Sequence, residues 1–335
     1  MRCSKKDLID ATHQIAGLKL LVIGDLMLDR YFKGDVNRVS EEAPVLIVSH
    51  NATAESLGGA GNAIHNLVNL GAEVSACGIL GDDLEGEIVQ SLLKEAQVDC
   101  QNVWIEDDYQ TTLKTRVVAK GQQLIRLDRE RNLQSGYQMP SLNRDKIVDL
   151  IKNTGQEFDG IFISDYGKGV VVPAIFEALG ALRLKAKRPI SMLDPHPINY
   201  QYYRNIDFAK PNRKEASQSS GINIVDLASA QKAADVLLAQ WGCQAIFISL
   251  SEMGVLVAHA SGKKVHLETM AMEVLDISGA GDTMATVSFA AICGGVSLEI
   301  AADLGNIAAG EVCALSGTRP ITLDLLLEGI EKRRV

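Results

Sequence analysis

The chain has 335 residues, 47% of them hydrophobic, and a formal net charge of −9, a size that suits one large α/β domain or two modest ones. The acidic balance argues against broad nucleic-acid binding, which runs on clustered Lys and Arg, but leaves room for a small phosphorylated ligand in a local basic pocket. Six scattered cysteines without a CxxC pair and six unclustered histidines argue against a zinc site and suit reduced thiols in the cytoplasm; no signal core and no run of ~18 apolar residues predicts a membrane span.

Residues 18–23, apolar but for Lys19 and ending at Gly24 and Asp25, read as a buried strand. Residues 31–49 interrupt the pattern with a strand-like Val45-Leu46-Ile47-Val48. A turn, Gly58-Gly59-Ala60-Gly61-Asn62, opens a predicted helix over 59–70 with Ala63, Leu67 and Leu70 on one side. A strand follows over 73–80, then a helix over 83–96 carrying Ile88, Leu92 and Leu93. Residues 112–119 and 122–127 read as a hairpin around Lys120-Gly121, and 129–140 as a polar loop. Short strands are predicted at 158–164, 189–194 and 206–209, a helix at 226–241, and strands at 245–249 and 263–267. A turn over 276–283 then opens a helix reaching Cys293.

Apolar strands separated by helices predict a mostly parallel sheet covered on both faces. Ligands of such sheets bind beyond the carboxyl ends of the strands, which draws attention to Asp25, Asp29, Asp165, Asp194, Asn212 and Asp282. The β pieces at about 31–49 and 111–128 suit a small separate sheet, serving as a lid or a dimer contact. No linker divides the chain, so one domain over 1–335 is expected.

The turn Asp276-Ile277-Ser278-Gly279-Ala280-Gly281-Asp282-Thr283 carries the most chemistry. A Gly-Ala-Gly turn at a helix start presents unpaired N–H groups and the positive end of the helix dipole, which together make an anion site. An acidic residue there repels phosphate, unless it takes the proton from the group attacking that phosphate. Asp282 as a simple helix cap is the alternative. The Gly58–Asn62 turn lets a ligand approach the backbone, and Asn62 can bond hydroxyls. Neither a Walker A sequence nor the dinucleotide GxGxxG occurs.

Together these two glycine turns resemble the PfkB/ribokinase family of sugar kinases, over about residues 18–322. Lys210-Pro211-Asn212-Arg213-Lys214-Glu215 is similar to the family's N-x-x-E element. Four further stretches, beginning at Gly24, Arg38, Gln123 and Ser164, resemble one branch, the D-glycero-D-manno-heptose 7-phosphate kinases, including the kinase half of bifunctional heptose kinase/adenylyltransferases. Without an H-x-G-H signature, a kinase-only form is expected. The branch's Asp-Pro-Lys is Asp194-Pro195-His196 here, and Ser278 replaces a Thr.

The resemblance implies a three-layer α/β/α ribokinase-like fold with a small β lid, and ATP and Mg²⁺ as cofactors. Asp282 is implied as the base, and Gly279, Ala280 and Gly281 as the hole for the transferred group. It places the sugar against Asp29, Gly58, Gly59, Asn62 and Asp165. ATP falls to Asn212, Glu215, Ser249, Asp276, Gly279, Gly281 and Asn306, and magnesium to Asn212 and Glu215, largely through water. A phosphate on the sugar needs cations, for which Lys114, Arg116 and Arg126 are candidates; protection of a strand edge is the other reading. A homodimer through the lid is expected. The expected reaction phosphorylates the 1-hydroxyl of the heptose 7-phosphate. A kinase of another sugar or nucleoside, and a non-catalytic binder on the same fold, are the alternatives.

Overall fold

A computed structural model describes residues 3–130, 138–154, 157–270, 276–315 and 317–333. Helix α1 (Lys5–His13) precedes β1 (Lys19–Gly24), and two 14-residue strands follow, β2 (Leu26–Val39) and β3 (Leu46–Gly59). Next come α2 (Ala60–Asn69), β4 (Glu73–Gly81), α3 (Leu84–Glu95), β5 (Asp99–Glu106), β6 (Thr112–Ala119), β7 (Gln122–Arg129) and α4 (Ser141–Thr154). Then β8 (Gly160–Ser164), α5 (Pro173–Leu182), β9 (Ile190–Asp194), β10 (Phe208–Ala209), α6 (Arg213–Ser220) and α7 (Leu227–Trp241) lead to β11 (Ala245–Ser249). The chain continues through β12 (Val255–His259), β13 (Lys264–Leu267), α8 (Ala280–Cys293), α9 (Leu298–Cys313) and α10 (Leu323–Lys332).

Nine strands form the main sheet in the order β13-β12-β11-β10-β9-β8-β1-β4-β5. Neighbours from β5 through β11 run parallel, and only β12 runs against the rest. Alternate residues of β1 feed opposite cores. Leu20 and Val22 pack with residues of α2, α8 and α9, whereas Leu21 and Ile23 pack with residues of α5 and α7. All four are fully buried, which is why β1 reads as an apolar run once past the exposed Lys19. The result is three layers, with helices on both faces of a mostly parallel sheet.

The second sheet has four strands in the order β3-β2-β6-β7. Only Asp25 separates β1 from β2, so the small sheet grows directly out of the centre of the large one. Lys120 and Gly121 turn the β6–β7 hairpin with φ of 49° and 79°, the left-handed pair that a two-residue hairpin favours. The small sheet is larger than the β segments expected at 31–49 and 111–128. Strand β2 starts at Leu26 and β3 runs on to Gly59, through polar residues such as Asp29, Arg30, Lys33 and Glu55 that conceal the strand pattern. Of the polar stretch at 129–140, Arg129 belongs to β7, and residues 131–137 lie outside the described residues. On the outer side, Arg30 bonds Glu55 at 2.6 Å and Glu85 at 3.3 Å, and Arg129 also pairs with Glu85, tying the small sheet to α3. Among the described residues no helix is long and apolar enough to cross a membrane.

Candidate active site

The turn before α8 lies where the two sheets meet. Gly279 caps the helix with φ of 81°, a conformation a side chain resists. A Cβ there would also come within 3.0 Å of Asn62 Nδ2, and one on Gly281 within 3.3 Å of Lys210 Nζ. The glycine turn is thus pressed between an amide from α2 and an ammonium from the loop after β10.

Both oxygens of Asp282 accept a hydrogen bond. Asn62 Nδ2 donates to Oδ2 at 2.8 Å, and the Tyr166 hydroxyl donates to Oδ1 at 2.5 Å. Tyr166 follows β8 in a loop braced by two buried carboxylates. Asp25 accepts from the backbone N–H of Tyr166, Lys168 and Val170 at 2.8–3.1 Å. Asp165 accepts from the Gly167 N–H at 2.7 Å, Asn199 Nδ2 at 2.9 Å and the Tyr203 hydroxyl at 2.7 Å. Burial, and then the nearby Asp25 charge, push Asp165 up to about 7. Asp165 was expected against the sugar. Its carboxylate instead turns inward and holds the loop that carries Tyr166.

A second cluster lies beside the turn. Lys210 Nζ is 3.0 Å from Asp194 Oδ1, and both are buried. Burial pushes Asp194 up to about 7; Lys210 opposes the rise, while Glu215 and Asp282 add to it. Glu215 is also raised, by burial first. The N-x-x-E spacing has a local structural cause here. Asn212 Oδ1 accepts from the Glu215 N–H at 2.9 Å, and Glu215 Oε2 accepts from the Asn212 N–H at 2.8 Å, a reciprocal cap on α6. The same cap fixes Glu215 beside Lys210. Ser249, at the end of β11, forms a lone bridge with Asn212.

On the small sheet, Asp29, Lys114 and Tyr31, Arg116 are register neighbours on β2 and β6. Arg116 Nη1 donates to Asp29 Oδ1 at 2.7 Å, its guanidinium lies over the Tyr31 ring, and both charges are buried. A Cβ on Gly58 would meet Asp29 Cγ at 3.0 Å, so the glycine lets β3 lie flush on that carboxylate. Arg126 is half exposed and pairs with Asp128 at 2.9 Å. Of the three cations expected for a substrate phosphate, Arg116 and Arg126 are therefore matched within the chain. Lys114 is different. It lies 5.0 Å from the centre of the Tyr166 ring and has no ion-pair partner among the described residues. Burial lowers its pKa, against the pull of Asp29 and Asp282. The His196 ring, which packs against Gly167, has its pKa lowered by burial first and then by Lys168 and Lys114, so three basic groups share this rim. Lys168 is paired with Glu130 at 2.7 Å.

Two expected ATP residues hold the protein together at this end. Asn306 donates to the Glu268 carbonyl at 2.7 Å, fixing the segment after β13. Asp276 accepts from the N–H groups of Ser278 at 2.9 Å and Gly317 at 3.1 Å, joining the glycine turn to the loop after α9. In that loop Thr318 donates its N–H to the Tyr31 hydroxyl at 2.8 Å, so the small sheet touches the turn's support.

A family model described as pfkB family carbohydrate kinase matches residues 18–324. The chain belongs to that family. Among curated relatives, the "Bifunctional protein HldE" of Geobacter metallireducens is 39% identical over 307 residues, covering 91% of this chain and 61% of the relative. The protein of the same name from Syntrophotalea carbinolica is 36% identical over 317 residues, 95% of this chain and 64% of the relative. The chain thus spans less than two thirds of the length of these relatives. Escherichia coli phosphofructokinase-2, solved with substrates and products, shares the fold at a TM-score of 0.72 and 18% identity, over 94% of this chain and 98% of that one. Arabidopsis thaliana ribokinase, solved with ribose and ATP, does so at 0.70 and 17%, over 95% and 100%.

For a pfkB-family kinase, the carboxyl-end belt is the place to look for chemistry. Tyr166 and Lys210 lie in it, close after Ser164 of β8 and Ala209 of β10. The sequence reading placed both in family-like stretches but gave neither a role. Their position just past a strand end was the available signal.

Proposed function

We propose that this protein transfers the γ-phosphoryl group of ATP to a hydroxyl of a sugar that already carries a phosphate, with the 1-hydroxyl of D-glycero-D-manno-heptose 7-phosphate as acceptor and the 1,7-bisphosphate as product. Asp282 takes the proton of the attacking hydroxyl. The Gly279–Gly281 amides and Lys210 meet the charge on the transferred group. Asp29, set by Arg116 and Gly58, orients the sugar opposite. The small sheet acts as the lid. The four branch-like stretches and the 36–39% identity to the bifunctional HldE proteins support the heptose.

Magnesium fits the residues present. Asp194, Glu215 and Asp282 share one ammonium, and the upward shifts of Asp194 and Glu215 mark a site short of positive charge. Oxygen donors of this kind suit a hydrated magnesium ion. Among the described residues no three carboxylate, histidine or cysteine side chains are close enough to grip an ion directly, so Glu215 and Asn212 would hold it largely through water. Bound there, the ion would supply positive charge to the phosphates of ATP.

The observation that carries the phosphorylated acceptor is Lys114, a half-buried cation facing the cleft that feels Asp29 and Asp282 but makes no ion pair among the described residues. A coupled ADP-release assay over sugars and sugar phosphates, heptose 7-phosphate included, tests it. The wild type should prefer the heptose phosphate. Lys114→Met should raise KM for it about 10-fold or more, the size of one lost charge-assisted contact, with KM for ATP unchanged. A wild type that prefers an unphosphorylated sugar would sink this reading.

We also infer that a second copy covers the lid. Ile125 and Leu127 on its edge strand β7 are 52% and 55% exposed, an apolar edge that invites pairing. Light scattering at micromolar concentration should give a dimer, and monomer alone counts against it.

A further inference from the structure

The structure assigns Tyr166 as a positioning residue for the base: its phenol sets the plane of the Asp282 carboxylate, and Lys114 on the lid couples that setting to lid closure. The assignment rests on the reading of Asp282 as the base.

Tyr166 is held from behind and aimed forward. Asp25, fully buried, fixes its backbone N–H, and Asp25 with Asp165 fix the three amides that follow at 167, 168 and 170. The ring belongs to neither hydrophobic core, so it is not there to fill space. Its hydroxyl reaches Asp282 Oδ1 at 2.5 Å, while Asn62 takes Oδ2. One fixed donor on each oxygen defines the carboxylate plane. Each oxygen still has a lone pair for a second donor, and on one of them the acceptor hydroxyl arrives.

The phenol keeps its proton. Burial first, and then the Asp282 charge, raise its pKa well above the ordinary tyrosine value. It therefore donates to the carboxylate at every working pH. Lys114 approaches the ring from the lid, 5.0 Å from its centre. A cation on the π face is attracted to it and draws electron density from the ring, making the O–H a stronger donor. When the lid lifts, that effect goes with it, so the base is fully set only in the closed form.

The test uses ATP and whichever sugar of the assay panel the wild type turns over fastest, both saturating. Tyr166→Phe keeps the ring and removes the hydroxyl. It should lower kcat about 10- to 100-fold, the scale of one hydrogen bond to a charged group, and leave both KM values within about 2-fold. Fluorotyrosines placed at 166 vary the phenol's acidity at nearly constant shape, so kcat should change in graded steps, which a packing role does not produce. Lys114→Met should lower kcat in the wild-type background and not in the Tyr166→Phe background. A Tyr166→Phe kcat within about 2-fold of wild type, a flat fluorotyrosine series, or losses that multiply in the double variant overturns the assignment. Asp282→Asn separates the two levels. If it keeps near-normal turnover, the base reading falls; if it loses ~10²-fold or more while Tyr166→Phe is silent, only the present inference falls.

Discussion

Strands β9 and β10 are bridged at both ends by a buried carboxylate and a cation, and the two bridges differ in what they leave unmet. At the amino end, Asp207 receives Arg188 through both oxygens at 2.6 and 2.7 Å, Ser191 through its N–H and hydroxyl at 2.9 Å each, and Gln244 at 2.9 Å. Burial alone would raise its pKa, yet these donors bring it below the ordinary carboxylate value. At the carboxyl end, Asp194 has Lys210 and must share it with Glu215 and Asp282, and it rises to about 7. A bridge with surplus donors is finished in the folded chain. A bridge short of positive charge is finished by what binds there.

The largest effects come from neutralising each carboxylate in turn. Asp207→Asn should cost about 2–4 kcal/mol of stability, the range for breaking a buried pair trimmed for the partly exposed Arg188, and leave kcat of the folded enzyme near normal. Asp194→Asn should keep or raise the melting temperature and lower kcat at least ~10-fold. Denaturant titration beside turnover reads both. If the two variants behave alike, the contrast between the ends is broken.

A smaller change sharpens the same contrast. Glu215→Gln preserves the reciprocal cap on α6, because a glutamine can also reach back at that position, and removes one charge from the unfinished bridge. The magnesium concentration for half-maximal activity should rise several-fold while the melting temperature moves little. An unchanged magnesium titration would remove Glu215 from the metal's surroundings.

The smallest effect concerns pH. Asp165 sits at about 7 in the folded chain against 3.8 for an ordinary aspartate. The folded state therefore holds an extra proton between those values. This contribution to stability is complete below about pH 4 and is lost as pH rises towards 7. Asp165→Asn should flatten the fall in melting temperature between about pH 4 and 7, although the loss of a good acceptor lowers the whole curve. A slope equal to wild type would mean that this carboxyl is not the source.

How far the sequence could be read followed the same division. Strand β11 was legible at its observed bounds and β4 within one residue, because both faces of the sheet are buried and most of each strand is apolar. The small sheet was legible only in part, since β2 and β3 alternate polar residues that serve the cleft or α3. Strand β12, four apolar residues and His259 after Gly254, went unread; a run that short does not separate strand from helix by periodicity. In the site, the glycine turn at 276–283 announced itself locally. The partners of Asp282 did not, for Tyr166 lies 116 residues away and Asn62 lies 220 away. Nor could the sequence tell that Arg116 would bond Asp29, whereas Lys114, two residues earlier, would make no ion pair among the described residues.

The place of β1 between β4 and β8 has a consequence for synthesis on the ribosome. The first strand of the chain lies inside the sheet, and its partner Ser164 of Gly24 is made long after it. At roughly 5–20 residues per second, the edge of β1 that β8 will cover waits several seconds or more in an unfinished state. Helix α1 waits longer still, because it packs on α9 and α10, which are made after β8. Nascent chains of this protein therefore carry an open, apolar strand edge until β8 has been made, and nascent-chain chaperones or a slowed codon stretch before residue 160 should change its soluble yield more than its final activity.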